Sequence, residues 1–354
     1  MAAGIPQTVL ALYWQTRVQC NVFRIPCMEP RVSLPGRNEI EAAAQAVYAA
    51  MPPTPQYAWP LLSQALGAEA WVKHENHTPV GAFKIRGGLV HFDRLARQQK
   101  PAGVISATRG NHGQSVAFSA RRTGLRCVIV VPHGNSREKN AAMRALGAEL
   151  VEHGDDFQAA REHAAQLAAA DRLHFVPSFH PDLVAGVATY WAELFRAAPD
   201  LDLVYVPVGQ GSGINACAAA RNALSPKTRI VGVTSAHARC YALSFAAGRV
   251  VEAPVSTELA DGLACRVPDE SSLQVMLREV DRFVEVTDDE VATAMRLMFA
   301  CTHNVAEGAG AAPLAAAIKE RNQEHSAIAG RRIGLPLTGG NVDSDMFART
   351  LAVH

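Results

Sequence analysis

The sequence has almost no net charge. Its 354 residues carry 34 Lys and Arg against 33 Asp and Glu, a formal balance of +1. Chains that grip nucleic acid or an anionic membrane surface show a basic excess or a basic stripe, so neither partner is expected. Long apolar runs are missing too. Those present are short, such as Val128-Ile129-Val130-Val131, far below the roughly 18 residues of a membrane span. Cysteine is sparse and odd in number (Cys20, Cys27, Cys127, Cys217, Cys240, Cys265, Cys301), with no CxxC pair. That spacing argues against a disulfide scaffold or a zinc ribbon and for a reducing, cytoplasmic setting. Low-complexity linkers and fixed-period repeats are absent. With 49% apolar and 19% charged residues, low-hydrophobicity disorder is excluded as well.

What is present is regular alternation. At roughly 100–200 residues per domain, the length predicts two domains, consecutive or intertwined. Short strands at 70–75, 103–107, 126–131, 149–152, 174–176, 203–207, 229–235 and 332–337 alternate with helical spans. The helices are expected at 39–50, 84–99, 111–123, 138–146, 157–170, 182–197, 214–223, 273–280, 289–301 and 310–321. Apolar strands separated by helices predict an α/β fold with mainly parallel sheets covered on both faces. Residues 1–27 read differently. Val9 to Trp14 are apolar, but no basic segment precedes them and no Ala-x-Ala follows, so the stretch is not a signal peptide. We read 1–37 as a disordered leader, with an upstream start-site artefact and a start near Met28 as its possible origin.

In parallel sheets, sites form where strands end and helices begin. Three such turns stand out. Ser106-Ala107-Thr108-Arg109-Gly110-Asn111-His112-Gly113-Gln114 places polar groups and glycines at a helix start, where free N–H groups attract an anion such as a carboxylate. Ordinary capping by Thr108 or Asn111 is the alternative. Pro207-Val208-Gly209-Gln210-Gly211-Ser212-Gly213-Ile214 allows a backbone nest for phosphate, or simply a tight turn; it is neither GxGxxG nor a nucleotide P-loop. Leu337-Thr338-Gly339-Gly340-Asn341-Val342-Asp343, in isolation, reads as a turn whose Asn or Asp caps the last helix. A fourth segment, Gly81-Ala82-Phe83-Lys84-Ile85-Arg86-Gly87-Gly88, sets a lysine at the start of an amphipathic helix. The helix dipole disfavours a cation there, which suits a lysine that must be neutral to form an imine.

Together and in this order, these segments resemble the serine/threonine dehydratase family, of the tryptophan-synthase-β type (fold type II) of pyridoxal-phosphate enzymes. Thr54-Pro55, Lys73-His74-Glu75-Asn76, Ala260-Asp261-Gly262 and Glu307-Gly308-Ala309-Gly310-Ala311 extend the resemblance, which runs from about Ile40 to the C-terminus. It implies two αβα domains: a small one at 103–183 inserted into a large cofactor-binding one at 38–102 and 184–354. It implies that Lys84 holds pyridoxal 5'-phosphate as a Schiff base and acts as the catalytic base. Phe83 lines the ring, Asn111 contacts the ring hydroxyl, and Thr338 faces the pyridine nitrogen. Gly209, Gln210, Gly211, Ser212 and Gly213 form the phosphate loop, although relatives often carry four consecutive glycines. Glu307 belongs to the cofactor-binding set. Thr108, Arg109, Gly110, Asn111 and His112 grip the substrate. The activity implied is an ammonia-lyase acting on L-threonine, L-serine or a close β-hydroxy-amino acid, in a homodimer or homotetramer.

Arg109 departs from the pattern, because relatives carry a small residue there and racemising ones a serine that moves a proton. An arginine stays charged and cannot do so. It either strengthens the α-carboxylate grip, recognises a second acid group as in 3-hydroxyaspartate, or packs structurally. No metal ligand is assigned. Glu258 and Asp261 sit one residue off a cation-binding pattern, so Asp261 is read as a turn cap, and His74 and His77 as solvated or core histidines. Cys217 and Cys301 are read as small core residues. The chain ends soon after Thr338, which fits a catabolic enzyme without a C-terminal regulatory region. A β-replacing synthase is a rival, disfavoured because Gly-Asn-His-Gly matches the dehydratases better. So is a non-catalytic amino-acid-binding protein on the same fold.

Overall fold

The computed structural model describes residues 33–98 and 101–352. The leader reading for residues 1–32 lies outside them, and the first described helix opens at Arg37. Among the described residues, ten strands form two sheets. The first contains β1 (Gln56–Ala58), β2 (Glu69–His74), β7 (Leu203–Pro207), β8 (Arg229–Ser235), β9 (Arg282–Val286) and β10 (Arg332–Leu337), in the order β1-β2-β10-β7-β8-β9. All its pairings are parallel except β1 with β2. The second sheet holds β3 (Gly103–Ala107), β4 (Arg126–Val131), β5 (Glu149–Glu152) and β6 (His174–Phe175), ordered β5-β4-β3-β6 and wholly parallel.

Central strands are buried along their length because helices cover both faces: every residue of β3 is buried, as are five of the six in β4. In the large sheet one core joins Val72, Tyr205, Val231, Leu335 and Leu337 to the helix Gly308–Arg321. Around the small sheet, Val104, Ile129, Val131, Val116 and Met143 form another core.

A buried charge network sets the helix Lys84–Gln98 in place. Arg86, fully buried, donates from Nε to Glu75 Oε2 (2.7 Å) and from Nη2 to Glu75 Oε1 (2.9 Å). It also donates from Nη1 to Glu193 Oε1 at 2.6 Å. Lys73 Nζ donates to Glu193 Oε2 (2.5 Å) and to the Thr54 carbonyl (2.6 Å). Burial alone would raise the Glu193 pKa, but Arg86 and Lys73 hold it below the ordinary carboxylate value. Two cations against two carboxylates leave the network neutral, as burial requires. It ties the first turn of the Lys84 helix to β2 and to the helix Pro181–Ala197.

Candidate active site

β10, β7 and β3 all end towards one cleft of about 860 Å3, counting space open to solvent. Every residue that the resemblance assigns to cofactor or substrate lines it: Phe83 and Lys84; Thr108 to His112; Gly209 to Gly213; Glu307; and Thr338. The first and last motifs are laced together by backbone. Phe83 N–H donates to the Thr338 carbonyl (2.9 Å), Gly340 N–H donates to the Gly81 carbonyl (3.0 Å), and Ala82 bridges Gly339.

Lys84 Nζ lies 2.9 Å from Ser212 Oγ, at the mouth of the glycine turn. Burial lowers its pKa from 10.5 to about 8, and no carboxylate offsets the shift. The Phe83 ring stands 5.0 Å from Nζ and packs edge-on against Tyr190. Half of the Lys84 amines are therefore neutral near pH 8, and the neutral share grows as pH rises. Covalent cofactor uptake is expected to accelerate with a midpoint near pH 8 rather than near 10.5; stopped-flow absorbance against pH reads this directly. The unfolded chain holds the extra proton between these two values, so the cost of burying Lys84 also falls as pH rises through that window.

The glycine turn is built for an anion. The helix Ser212–Leu224 begins at Gly211 with no side-chain cap, which leaves its first N–H groups facing the cleft end. Gly211 has φ +97°, and a Cβ there would lie 1.8 Å from Ser272 Oγ. Trp191 Nε1 holds the Gly213 carbonyl at 3.1 Å, and Tyr241 OH holds that of Gln210 at 3.2 Å. Gly211→Ala is expected to weaken cofactor binding by about tenfold or more, since strain of about 1–3 kcal/mol falls on the loop. Fluorescence titration with pyridoxal phosphate measures it.

The Thr108 turn uses its own hydroxyl. Thr108 Oγ1 accepts from the N–H groups of Gly110 (2.9 Å) and Gly113 (3.1 Å), so this side chain braces the loop. Gly110 takes φ +151°, and a Cβ there would lie 2.3 Å from the Lys139 chain. The helix Asn111–Thr123 then starts without a side-chain cap on Gly110, presenting Asn111 and His112 N–H to the cleft. Burial and the nearby Lys84 charge lower the His112 pKa to about 3, so its ring is neutral. Its Nε2 is buried without a partner. Arg109 reaches the cleft with its Nε likewise buried and unpartnered.

Sequence reasoning missed the residue that organises this polar wall. Lys139 Nζ pairs with Asp261 Oδ2 (2.6 Å) and with Glu307 Oε2 (3.1 Å). Burial would lower the Lys139 pKa, but the two carboxylates outweigh it and raise the value. Burial likewise pushes Glu307 up, partly countered by Lys139. Glu307 Oε1 accepts from Asn111 Nδ2 at 2.5 Å, and Asn111 Oδ1 accepts from Asn341 Nδ2 at 2.9 Å. Asn111 is thus fixed from both ends. Two turn readings need correcting. The Asp261 carboxylate caps nothing and pairs with Lys139. Asp343 accepts from Ser136 Oγ and Glu138 N–H, at the start of the helix Arg137–Ala145 rather than the last helix. His74 is buried and accepts from Trp59 Nε1 (3.0 Å), while His77 meets Asn304 (2.8 Å), in line with their reading. Cys217 is fully buried and Cys301 packs at the core edge.

These residues fit pyridoxal phosphate. A buried amine of lowered pKa suits its aldehyde, an uncapped glycine turn its phosphate, and Phe83 its ring. The comparisons agree. Residues 47–339 match the model of the family described as pyridoxal-phosphate dependent enzyme. The chain is 31% identical to the L-threonine ammonia-lyase of Thermotoga maritima, over 82% of this chain and 72% of that one. It is 34% identical to the biosynthetic L-threonine dehydratase of Haemophilus influenzae, over 86% of its own length but only 60% of that protein's. The processed form of threonine deaminase isoform 2 from Solanum lycopersicum superposes with a TM-score of 0.82 at 29% identity, covering 92% of this chain and 96% of that one. A cleft centred on Lys84, a fold shared with these enzymes and a family match across most of the sequence converge: the chain belongs to the pyridoxal-phosphate dependent enzymes, in their serine/threonine dehydratase branch.

Proposed function

We propose that the protein is an ammonia-lyase that converts L-threonine, L-serine or a close β-hydroxy-amino acid to a 2-oxo acid and ammonia. The observation that carries this reading is the buried Lys84 amine, with a pKa near 8, poised over the glycine turn. When bound, pyridoxal phosphate supplies the electron sink for charge developing at the substrate Cα. Lys84 holds the cofactor. Freed and neutral, its Nζ would be placed to take the proton from the substrate Cα. Asn111 and His112 N–H groups bind the α-carboxylate and fix which bond at Cα is broken. Thr338, which lines the cleft, would offer the ring nitrogen a hydroxyl, which, unlike a carboxylate, would not keep that nitrogen protonated. This favours β-elimination over transamination.

The unpartnered Nε of Arg109 favours a second reading of the substrate, one with a second carboxylate such as 3-hydroxyaspartate. The test is kcat/KM for L-serine, D-serine, L-threonine and both 3-hydroxyaspartate diastereomers, with and without a sulfur nucleophile. If Arg109 reads a second acid, Arg109→Ala lowers activity on 3-hydroxyaspartate roughly 10- to 100-fold and leaves L-threonine nearly unchanged. Equal losses assign it to the α-carboxylate, and no loss on any substrate removes it from the site. A β-substituted amino acid formed with the nucleophile would instead indicate a replacing synthase. The same proposal includes a small domain at 103–183, which the separate four-stranded sheet supports. It also includes a homodimer or homotetramer, supported by the family likeness. A cytoplasmic setting is supported by five free cysteines among the described residues. No helix among those residues is long and apolar enough to cross a membrane.

A further inference from the structure

Behind the Lys84 helix lies a cluster that the proposed reaction does not use. His91 stands about two turns along that helix from Lys84. His180 caps the helix Pro181–Ala197, and Asp182 belongs to its first turn. One ligand atom from each of the three lies within 4.8 Å of the others. His91 Nδ1 is 3.1 Å from Asp182 Oδ2, and His180 Nδ1 is 3.4 Å from the same oxygen. Donors placed about 2.1 Å from a tetrahedral ion are about 3.4 Å apart, a spacing that the His180–Asp182 pair meets and the His91–Asp182 pair approaches, with all three ligand atoms within 4.8 Å. Arg94 Nη1 holds the other oxygen, Asp182 Oδ1, at 2.5 Å, and thereby turns Oδ2 towards the imidazoles. His174 lies alongside, its ring centroid 5.8 Å from that of His91. The Nε2 atoms of His91 and His174 are both buried without a hydrogen-bond partner.

We propose that His91, His180 and Asp182 bind a divalent transition-metal ion of the Zn2+ class, with His174 or water completing four-coordination. Imidazole nitrogens favour such an ion over Mg2+ or Ca2+, which take oxygen donors. None of these side chains lines the cofactor cleft, although Ser178 next to them does. The site is therefore separate from the cleft and reaches it through the backbone. The ion pins the helix that carries Lys84 to the start of the Pro181–Ala197 helix. It competes for the His180 Nδ1 lone pair, which also accepts from the Asp182 N–H at 3.2 Å. Sequence spacing hides the trio, because the two histidines come from helices far apart in the chain and form no ligand motif.

The test uses untagged, cofactor-loaded full-length protein, stripped with a chelator and titrated with Zn2+ alone or Co2+ alone. One equivalent is expected to bind, and Co2+ is expected to show the intense visible absorption of a four-coordinate nitrogen/oxygen site. His91→Ala is expected to weaken binding at least tenfold. His180→Ala, at a partly exposed helix start, is expected to do the same. The proposal is overturned if the parent protein takes up no stoichiometric ion. It is equally overturned if a folded His180→Ala binds as tightly as the parent, which assigns uptake elsewhere, for instance to the stacked His153 and His163.

Discussion

Replacing Lys84 with alanine is expected to lower turnover of the best β-hydroxy-amino acid by roughly 10^3- to 10^4-fold, the upper range for a positioned proton-transfer group. Two losses coincide at one atom. The amine that anchors the cofactor disappears, and so does the base that takes the Cα proton. Borohydride treatment of the parent protein is expected to fix the cofactor to the Lys84 peptide, and the variant is expected to show no such label. The fold should survive, because Nζ has Ser212 Oγ as its hydrogen-bond partner and no ion pair depends on it. A variant that keeps more than a tenth of parental turnover with the cofactor loaded would remove Lys84 from the chemistry.

Arg86→Ala is expected to cost about 3–5 kcal/mol of stability, the usual penalty for breaking a buried pair and stranding its partner. Without the guanidinium, Glu75 loses its bidentate clamp, and Glu193 keeps only Lys73 among its buried cations. Arg86→Lys is expected to recover only part of the loss, because one ammonium cannot serve both carboxylates with the same fork. Urea denaturation of the parent and both variants measures the ordering. The effect also reaches the site, since Arg86 sits in the first turn of the helix that begins at Lys84. The Arg86→Ala protein is therefore expected to lose affinity for the cofactor even at temperatures where it remains folded.

The central strands were legible because burial on both faces leaves an apolar signature: Val104 and Ile105 in β3, and Val128 to Val131 in β4. The edges were not. β1 is three residues long and follows Pro52 and Pro53, and β9 (Arg-Phe-Val-Glu-Val) carries charges because it lies at the rim. The helices Pro60–Leu66 and Cys240–Ala247 also have no counterpart in the expected elements, while the last helix, Ser344–Ala352, was expected only through its cap. In the cleft, the motif residues could be found because glycine turns and a lysine at a helix start are unusual in themselves. Lys139 could not, since a lysine in an ordinary helix reads as a solvated charge until folding brings Asp261 and Glu307 against it. The His91, His180 and Asp182 trio escaped for a related reason: its members become neighbours only when the Lys84 helix packs against the helix Pro181–Ala197.

The most direct measurement is the simultaneous release of ammonia and 2-oxo acid from L-threonine, L-serine and the 3-hydroxyaspartates by the cofactor-loaded protein. Equimolar ammonia and 2-oxo acid from at least one of them, abolished in Lys84→Ala, is the expected result. A cofactor-loaded protein that releases neither product from any of these substrates would contradict the assignment of Lys84 and its glycine turn to an ammonia-lyase.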